Sequence, residues 1–271
     1  MMNYHIGASG WNYDGWKSTF YPKKLAASRQ LEYYSSIFNT IEVNSTFYNI
    51  PRVETVKNWH DKTNKKFIFA VKLFQGITHE LYKSLSREKM ELLTRKYFDA
   101  IEHLREKLKL VLIQLPPSFS SRNWDYLAKL LEILPSKHDY AIEFRHETWF
   151  KEHTIIDKIK RMDNVIIAGS IHPSVEPFVE KTGDYFAFRF IGDRELTTFG
   201  KIQRDKREEM ARIKKMIDEK IQDVRDIFVF FNNHYAGFAI ESINMFRELV
   251  GLGAREYNAL DKGQKTLSDF F

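Results

Sequence analysis

Apolar residues along this chain recur with two alternating periods, two residues and roughly 3.6 residues. Thr40–Asn44 shows the short period: Ile41 and Val43 face one way, Glu42 and Asn44 the other. Phe67–Lys72 sets Phe67, Phe69 and Val71 against Ile68, Ala70 and Lys72. Tyr140–His146 sets Ile142 and Phe144 against Ala141, Glu143 and Arg145. A strand presents successive side chains to opposite faces, so each segment has one apolar face and one that turns polar at its C-terminal end. Further strands are predicted over His5–Ser9, Leu110–Gln114, Val165–Ser170, Tyr185–Ile191 and Ile227–Asn233. Helical spacing is predicted between them over Ser28–Phe38, Glu54–Lys62, Arg87–Lys107, Trp124–Leu134, Glu152–Met162, Arg204–Ile221 and Ala236–Val250. Ser28 and Asn123 are plausible N-caps. After the sixth strand, IHPSVEPFVEKTGD carries two prolines and leaves little room for a helix.

Strands that alternate with helices imply βαβ units and a parallel sheet, and eight such strands close a barrel. The expected fold is therefore an α/β TIM-type (β/α)8 barrel with an irregular sixth βα unit. A doubly wound sheet usually carries a glycine-rich phosphate loop after its first strand, and IGASGW lacks GxGxxG. The barrel is expected to span residues 1–250 and to be followed by a flexible tail over 251–271. At 271 residues, with 43% hydrophobic content, the chain has enough material for one such core. The absence of cysteine removes disulfides and thiol chemistry, which suits a reducing cytoplasm. MMNYHIGASG lacks the basic and apolar regions of a signal peptide, so a cytoplasmic location is expected. No apolar run approaches the roughly 20 residues of a membrane helix. The net charge of +6 favours an anionic partner such as DNA.

The inner-face positions at the strand ends read Glu42, Asn44, Lys72, Gln114, Glu143, Arg145, Arg189, and Asn232 with Asn233. Barrel enzymes gather their chemistry from several strand ends, so these residues are expected to share one site. Lys72, Arg145 and Arg189 suit phosphate or carboxylate, and the amides suit hydroxyls or base edges. Glu42 and Glu143, with Arg145 and Lys72, are the candidates for the chemistry itself. The two glutamates could act as general acid and base, hold a divalent metal, or simply pair with the cations. Tyr13 and Trp16, in the aromatic loop GWNYDGW, and His79 after the third strand are candidate substrate contacts, although aromatics in such a loop also commonly cap a core. His79, His146, His172 and His234 show no metal-ligand spacing, and no GxSxG elbow supports a serine nucleophile.

The stretches GWNYDGWKSTFYP, FNTIEVNSTFY, IPRVETVKNW, FIFAVKLFQGITH, LIQLPPSF, AIEFRHETW and FVFFNNHYAGFAI resemble the YecE-like family, a widespread domain of unknown function. The resemblance implies a TIM-type barrel. The polar residues of its motifs fall on Tyr13, Trp16, Glu42, Asn44, Lys72, His79, Gln114, Glu143, Arg145, Arg189, Asn232 and Asn233. Many relatives carry a His-Gly pair after the seventh strand, where this chain reads Ile191-Gly192. The family brings no established reaction.

The chain ends QKTLSDFF. This resembles the peptide by which proteins dock on the PCNA-type sliding clamp of DNA replication: Gln264, then Leu267, Phe270 and Phe271. The last three stand at i, i+3 and i+4, so one helical turn presents them together to an apolar groove. The leading expectation is thus a barrel recruited to the clamp, a replication or repair accessory that hydrolyses nucleic acid or a phosphorylated substrate. The alternatives are a sugar-processing barrel, isomerase or glycosidase-like, and a non-catalytic module that binds clamp and DNA.

Overall fold

The computed structural model describes residues 2–84 and 86–257. Gln264, Leu267, Phe270 and Phe271 therefore lie outside the described residues. Nine strands form one sheet: β1 Asn3–Ser9, β2 Thr40–Val43, β3 Ile68–Lys72, β4 Leu108–Gln114, β5 Tyr140–Glu143, β6 Val165–Ile167, β7 Gly169–Ile171, β8 Tyr185–Phe190 and β9 Asp226–Phe231. Their order is β6-β5-β4-β3-β2-β1-β9-β8-β7, and all the pairings are parallel. Strands β6 and β7 are the two halves of the one strand expected over Val165–Ser170. The first half pairs with β5 and the second with β8, so a single run of chain bridges the seam of an eight-membered barrel. The break falls beside Gly169, where a Cβ would stand 2.1 Å from the carbonyl oxygen of Phe178. The irregular sixth unit folds back that closely over its own strand.

The strand parity read from the sequence places the core correctly. Ile68, Ala70, Leu110, Leu112, Ala141, Ile166, Ala168, Tyr185, Ala187, Phe228 and Phe230 form a buried cluster of their own inside the barrel. The opposite face, including Phe69, Val71, Ile113, Ile142 and Val229, packs with the helices in a second, larger cluster. Small alanines lie one step below the polar strand ends, which leaves room for long side chains above them.

Element boundaries shift where a side chain takes over from the backbone pattern. The helix expected over Arg87–Lys107 stops at Ile101, and 3-10 turns with Arg105 at φ 53° follow. This turns Lys107 inward, and its ammonium donates to the carbonyls of His60 and Thr63. Of the two expected N-caps, Ser28 lies within a 3-10 turn, whereas Asn123 stands at the N-cap of Trp124–Ile133 without a capping bond, its amide donating instead to the Ser120 carbonyl. The last helix is Ala239–Leu249, delayed by a short turn over Asn233–Ala236 that ends at Gly237, φ 100°. The chain after it stays on the body as far as Tyr257. Arg247 holds the carbonyls of Leu252 and Gly253, Asn244 pairs with the backbone of Arg255, and Tyr257 packs on Phe20. Among the described residues, no helix is long and apolar enough to cross a membrane.

Candidate functional site

The C-terminal ends of the strands meet in one buried ionic network. Arg189, at the end of β8, is its hub and is 2% exposed. Its Nε and Nη2 donate to the two carboxylate oxygens of Glu42 on β2, both at 2.6 Å. Its Nη1 donates to Glu143 on β5. The other Glu143 oxygen accepts from Arg145 Nε at 2.5 Å. Arg145 Nη2 reaches Gln114 Oε1 on β4 at 2.8 Å, and Lys72 Nζ on β3 donates to that same oxygen at 2.7 Å. Burial alone would push the Glu143 carboxyl up, but Arg145 and Arg189, with Lys72, outweigh it and hold the group well below the usual carboxylate range. Lys72 is also shifted down, which for an ammonium favours the neutral form. Burial, then the neighbouring Arg189, lowers its ammonium to about 7, against a weaker opposing pull from Glu42 and Glu143.

Above this floor opens a cavity of about 320 Å³, lined by Tyr13, Asn44, Tyr48, Lys72, Gln114, Arg145, Arg189, Ile191, Arg194, Asn232 and His234. An adjoining space of about 490 Å³ shares Tyr48, Gln114, Arg145 and Arg194 and adds His79 and His172. Burial, then Lys72 and Arg145, lowers the His79 imidazole to about 4, and burial, then Arg145, does the same to His172. Both rings are therefore neutral at physiological pH. Arg194 is exposed and is brought to the cavity by the loop after β8. Gly192 there has φ 80°, and a Cβ on it would stand 2.4 Å from the His234 carbonyl oxygen, so glycine is required. Arg204 then clamps the loop, reaching Asp193 at 2.5 Å and Glu195 at 2.7 Å on either side of Arg194. A further groove of about 680 Å³ runs along the proline-bearing segment 171–178 and contains none of the polar strand-end residues.

The model of the family described as "Protein of unknown function DUF72" matches residues 5–266. The chain belongs to this family. Across 97% of its length it is 27% identical to the UPF0759 protein YunF of Bacillus subtilis, covering 99% of that protein. It is 29% identical to YecE of Escherichia coli K12 over 146 residues, 54% of this chain and 50% of YecE. Among solved structures, a DUF72 family protein of Thermotoga maritima MSB8 superposes with a TM-score of 0.75 at 30% identity, over 92% of this chain and 99% of the other. A DUF72 family protein of Enterococcus faecalis V583, at 20% identity and a TM-score of 0.73 over 93% and 99%, shares the fold.

This DUF72 barrel gathers most of the candidates picked out by strand parity, together with two from the loops. Tyr13, Asn44, Lys72, Gln114, Arg145, Arg189 and Asn232 line the cavity, and His79 lines its extension. Glu42 and Glu143 meet at Arg189 but lie beneath the floor, both 0% exposed. Trp16 and Asn233 do not reach the cavity. Trp16 is fully buried among Phe20, Tyr34 and Phe238, and its indole donates to Asn233 Oδ1 at 3.1 Å. That oxygen also accepts from the Ala239 backbone at 2.9 Å, so Asn233 fastens the aromatic loop to the start of the last helix. Tyr48 and Arg194 escaped the sequence reading. Each sits in a segment just beyond a strand end, where period two stops and no facing can be assigned. Among the described residues, no group of three His, Asp or Glu is placed to hold a metal ion. A cation between Glu42 and Glu143 would have to displace Arg189.

Proposed function

We propose that the cavity at the strand ends binds a small anionic ligand, a phosphorylated compound or the phosphate-bearing part of a nucleic acid, and acts on it with Lys72. The observation that carries this is the charge count. Glu42 and Glu143 are balanced by Arg189 and Arg145 in the floor, which leaves Arg194 as a surplus cation facing the space, joined by Lys72 whenever its amine is protonated. Gln114, Asn44 and Asn232 add amides that both donate and accept, suited to sugar hydroxyls or a base edge. A space of about 320 Å³ is at the small end of ligand sites and suits one sugar phosphate or nucleotide rather than a duplex. The reaction class is cleavage beside a phosphate, hydrolase-like or nuclease-like. A group whose proton affinity lies near neutral pH is best matched to proton transfer, and Lys72 has that property. Glycosidase chemistry is less well supported, because its two carboxyl groups must face the substrate, whereas Glu42 and Glu143 face Arg189.

Titration with ribose 5-phosphate and with inorganic phosphate, followed by calorimetry, tests the pocket. Arg194→Ala is expected to weaken binding by roughly tenfold with an unchanged melting temperature, since an exposed side chain is removed from a charge-assisted contact. Equal affinity of the two forms would remove Arg194 from the site, and no binding by either would remove the anion pocket.

We also propose that Gln264, Leu267, Phe270 and Phe271 dock on a PCNA-type sliding clamp, which would bring the barrel to DNA as a replication or repair accessory. The support is the spacing of these residues, with three apolar side chains on one helical turn and a glutamine three positions ahead. The net charge of +6 suits work beside DNA. Phe270→Ala/Phe271→Ala and a form ending at Gly263 should each lose at least about thirtyfold in clamp affinity by calorimetry, as removal of buried aromatic anchors does. Unaltered affinity in both would disprove the docking role.

A further inference from the structure

We propose that Lys72 is the covalent nucleophile of this pocket, and that its amine condenses with the carbonyl carbon of a phosphorylated aldehyde or ketone to form an imine. This rests on the anion-binding reading above and narrows it to a substrate class. Four features of the geometry point to it. Lys72 is buried, 7% exposed, yet borders the open cavity. Neither nearby carboxylate is its partner, because Glu42 is held at both oxygens by Arg189, and Glu143 by Arg189 and Arg145. The one hydrogen bond of its Nζ among the described residues goes to the neutral amide oxygen of Gln114, which Arg145 already shares. The last feature is the Phe47 ring face, 4.3 Å from Nζ, which covers one side of the group and, as a cation–π contact, only partly offsets the lack of a carboxylate partner while the group is charged. A buried lysine left without a carboxylate and crowded by guanidinium groups is the arrangement that yields a free amine near neutral pH. The other cations at the cavity are guanidinium groups, which do not give up a proton in this range.

The chemistry balances without any redox partner. Lys72 Nζ attacks the carbonyl carbon, the π pair moves onto oxygen, and a proton passes from nitrogen to oxygen to give a carbinolamine. The carbon–oxygen bond then breaks, the oxygen leaves as water after taking one proton from solvent, and the nitrogen is left as an iminium. Amine, carbonyl and one proton become iminium and one water. The iminium restores positive charge beside Arg189 and Arg145, so the ligand must bring its own anion. A phosphate beside Arg194, which faces both the cavity and its extension, supplies it. Such a carbonyl occurs in the open-chain form of a free sugar phosphate and in the abasic deoxyribose of a DNA strand. The shared chemistry is an aldehyde a few bonds from a phosphate.

The test incubates the full-length protein with 2-deoxyribose 5-phosphate, with an oligonucleotide carrying one abasic site, and with unphosphorylated 2-deoxyribose, each with cyanoborohydride. Intact mass and peptide mapping follow. The expected result is one reduced adduct on Lys72, at least about tenfold less with the unphosphorylated sugar, and growing from about pH 5 to about pH 8 as the amine is freed. Lys72→Arg should remove it, and the wild-type peptide map places the adduct even if that variant folds poorly. An adduct with the free sugar phosphate alone assigns a small-molecule substrate, and one with the oligonucleotide alone assigns damaged DNA. Adducts spread over exposed lysines with Lys72 unmodified would overturn the proposal. If ribose 5-phosphate binds by calorimetry while Lys72 stays unmodified, the imine is wrong and the anion pocket stands. If nothing binds and nothing is trapped, both fall.

Discussion

Replacing Arg189 with methionine is expected to destabilise the protein by about 3–5 kcal/mol, measured by urea unfolding at neutral pH. The guanidinium makes three charge-assisted bonds in the floor, two to Glu42 and one to Glu143, and both carboxylates are fully buried. Methionine fills most of the volume but leaves Glu42 with no ion-pair partner and Glu143 with Arg145 alone. The loss therefore reflects uncompensated buried charge rather than the intrinsic strength of the pairs. The sign of the pH dependence separates this account from simple cavity formation. In the wild type the folded-state Glu143 carboxyl is depressed, so its contribution is present above the unfolded value and is lost as pH falls through the folded value. In the variant Glu143 keeps Arg145 but loses Arg189, so its carboxyl moves up from its wild-type position. The gap in stability between variant and wild type should therefore narrow as pH falls from about 7 toward about 4, a range in which the neutral His79 and His172 lower both forms alike. A variant whose stability runs parallel to wild type across that range would show that Arg189 contributes packing and not charge. Arg189→Lys should recover only part of the loss, because an ammonium cannot span both oxygens of Glu42 as the guanidinium fork does.

The same network shows what period two reveals and where it fails. Strand parity places Glu42, Lys72, Glu143 and Arg189 on one inner face because successive side chains must alternate and the alanines beside them fix which face is inward. That inference needs only local backbone geometry. It does not reveal which charge pairs with which. The partner of Arg189 lies 147 positions away, and the choice between a substrate-facing carboxylate and a pinned one depends on how far the guanidinium reaches across the barrel. Trp16 and Asn233 illustrate the same limit. Both belong to polar or aromatic loop motifs, yet their mutual hydrogen bond turns them inward, which no spacing signals. The split at Ala168 was half legible: two prolines and a short connection marked the sixth unit as irregular. That its strand would serve two neighbours depends on closure of the whole sheet. Arg194 was hidden for a different reason. Its approach to the cavity depends on Gly192 in the left-handed region and on the Arg204 clamp, neither of which has a periodic signature.

Lys72→Met should make the protein more stable, by on the order of 3 kcal/mol at neutral pH, while it abolishes any turnover and imine trapping. Burial, and then Arg189, lowers the Lys72 ammonium to about 7 in the folded protein. In the unfolded chain it titrates near about 10.4. Between those two values the unfolded state binds more protons than the native one, so wild-type stability must rise with pH across that window. Below about 7 the amine is charged in both states and the penalty is complete and constant. Methionine carries no such penalty, and its thioether can pack against the Phe47 ring where the ammonium now lies. Gln114 is not orphaned by the change, because its Oε1 still accepts from Arg145. The stabilisation should therefore be largest below about pH 7, where it is constant, and should shrink steadily as pH approaches about 10. Urea unfolding of both forms at several pH values measures it directly. A methionine variant less stable than wild type, by an amount that does not change with pH, would mean that Lys72 is a permanently charged structural cation whose partner is the Glu42 and Glu143 pair. The pocket would then keep its anion-binding arginines and lose its nucleophile. A variant that is more stable and inert would mark Lys72 as a residue kept against the interest of the fold, which is the signature expected of a group retained for its chemistry.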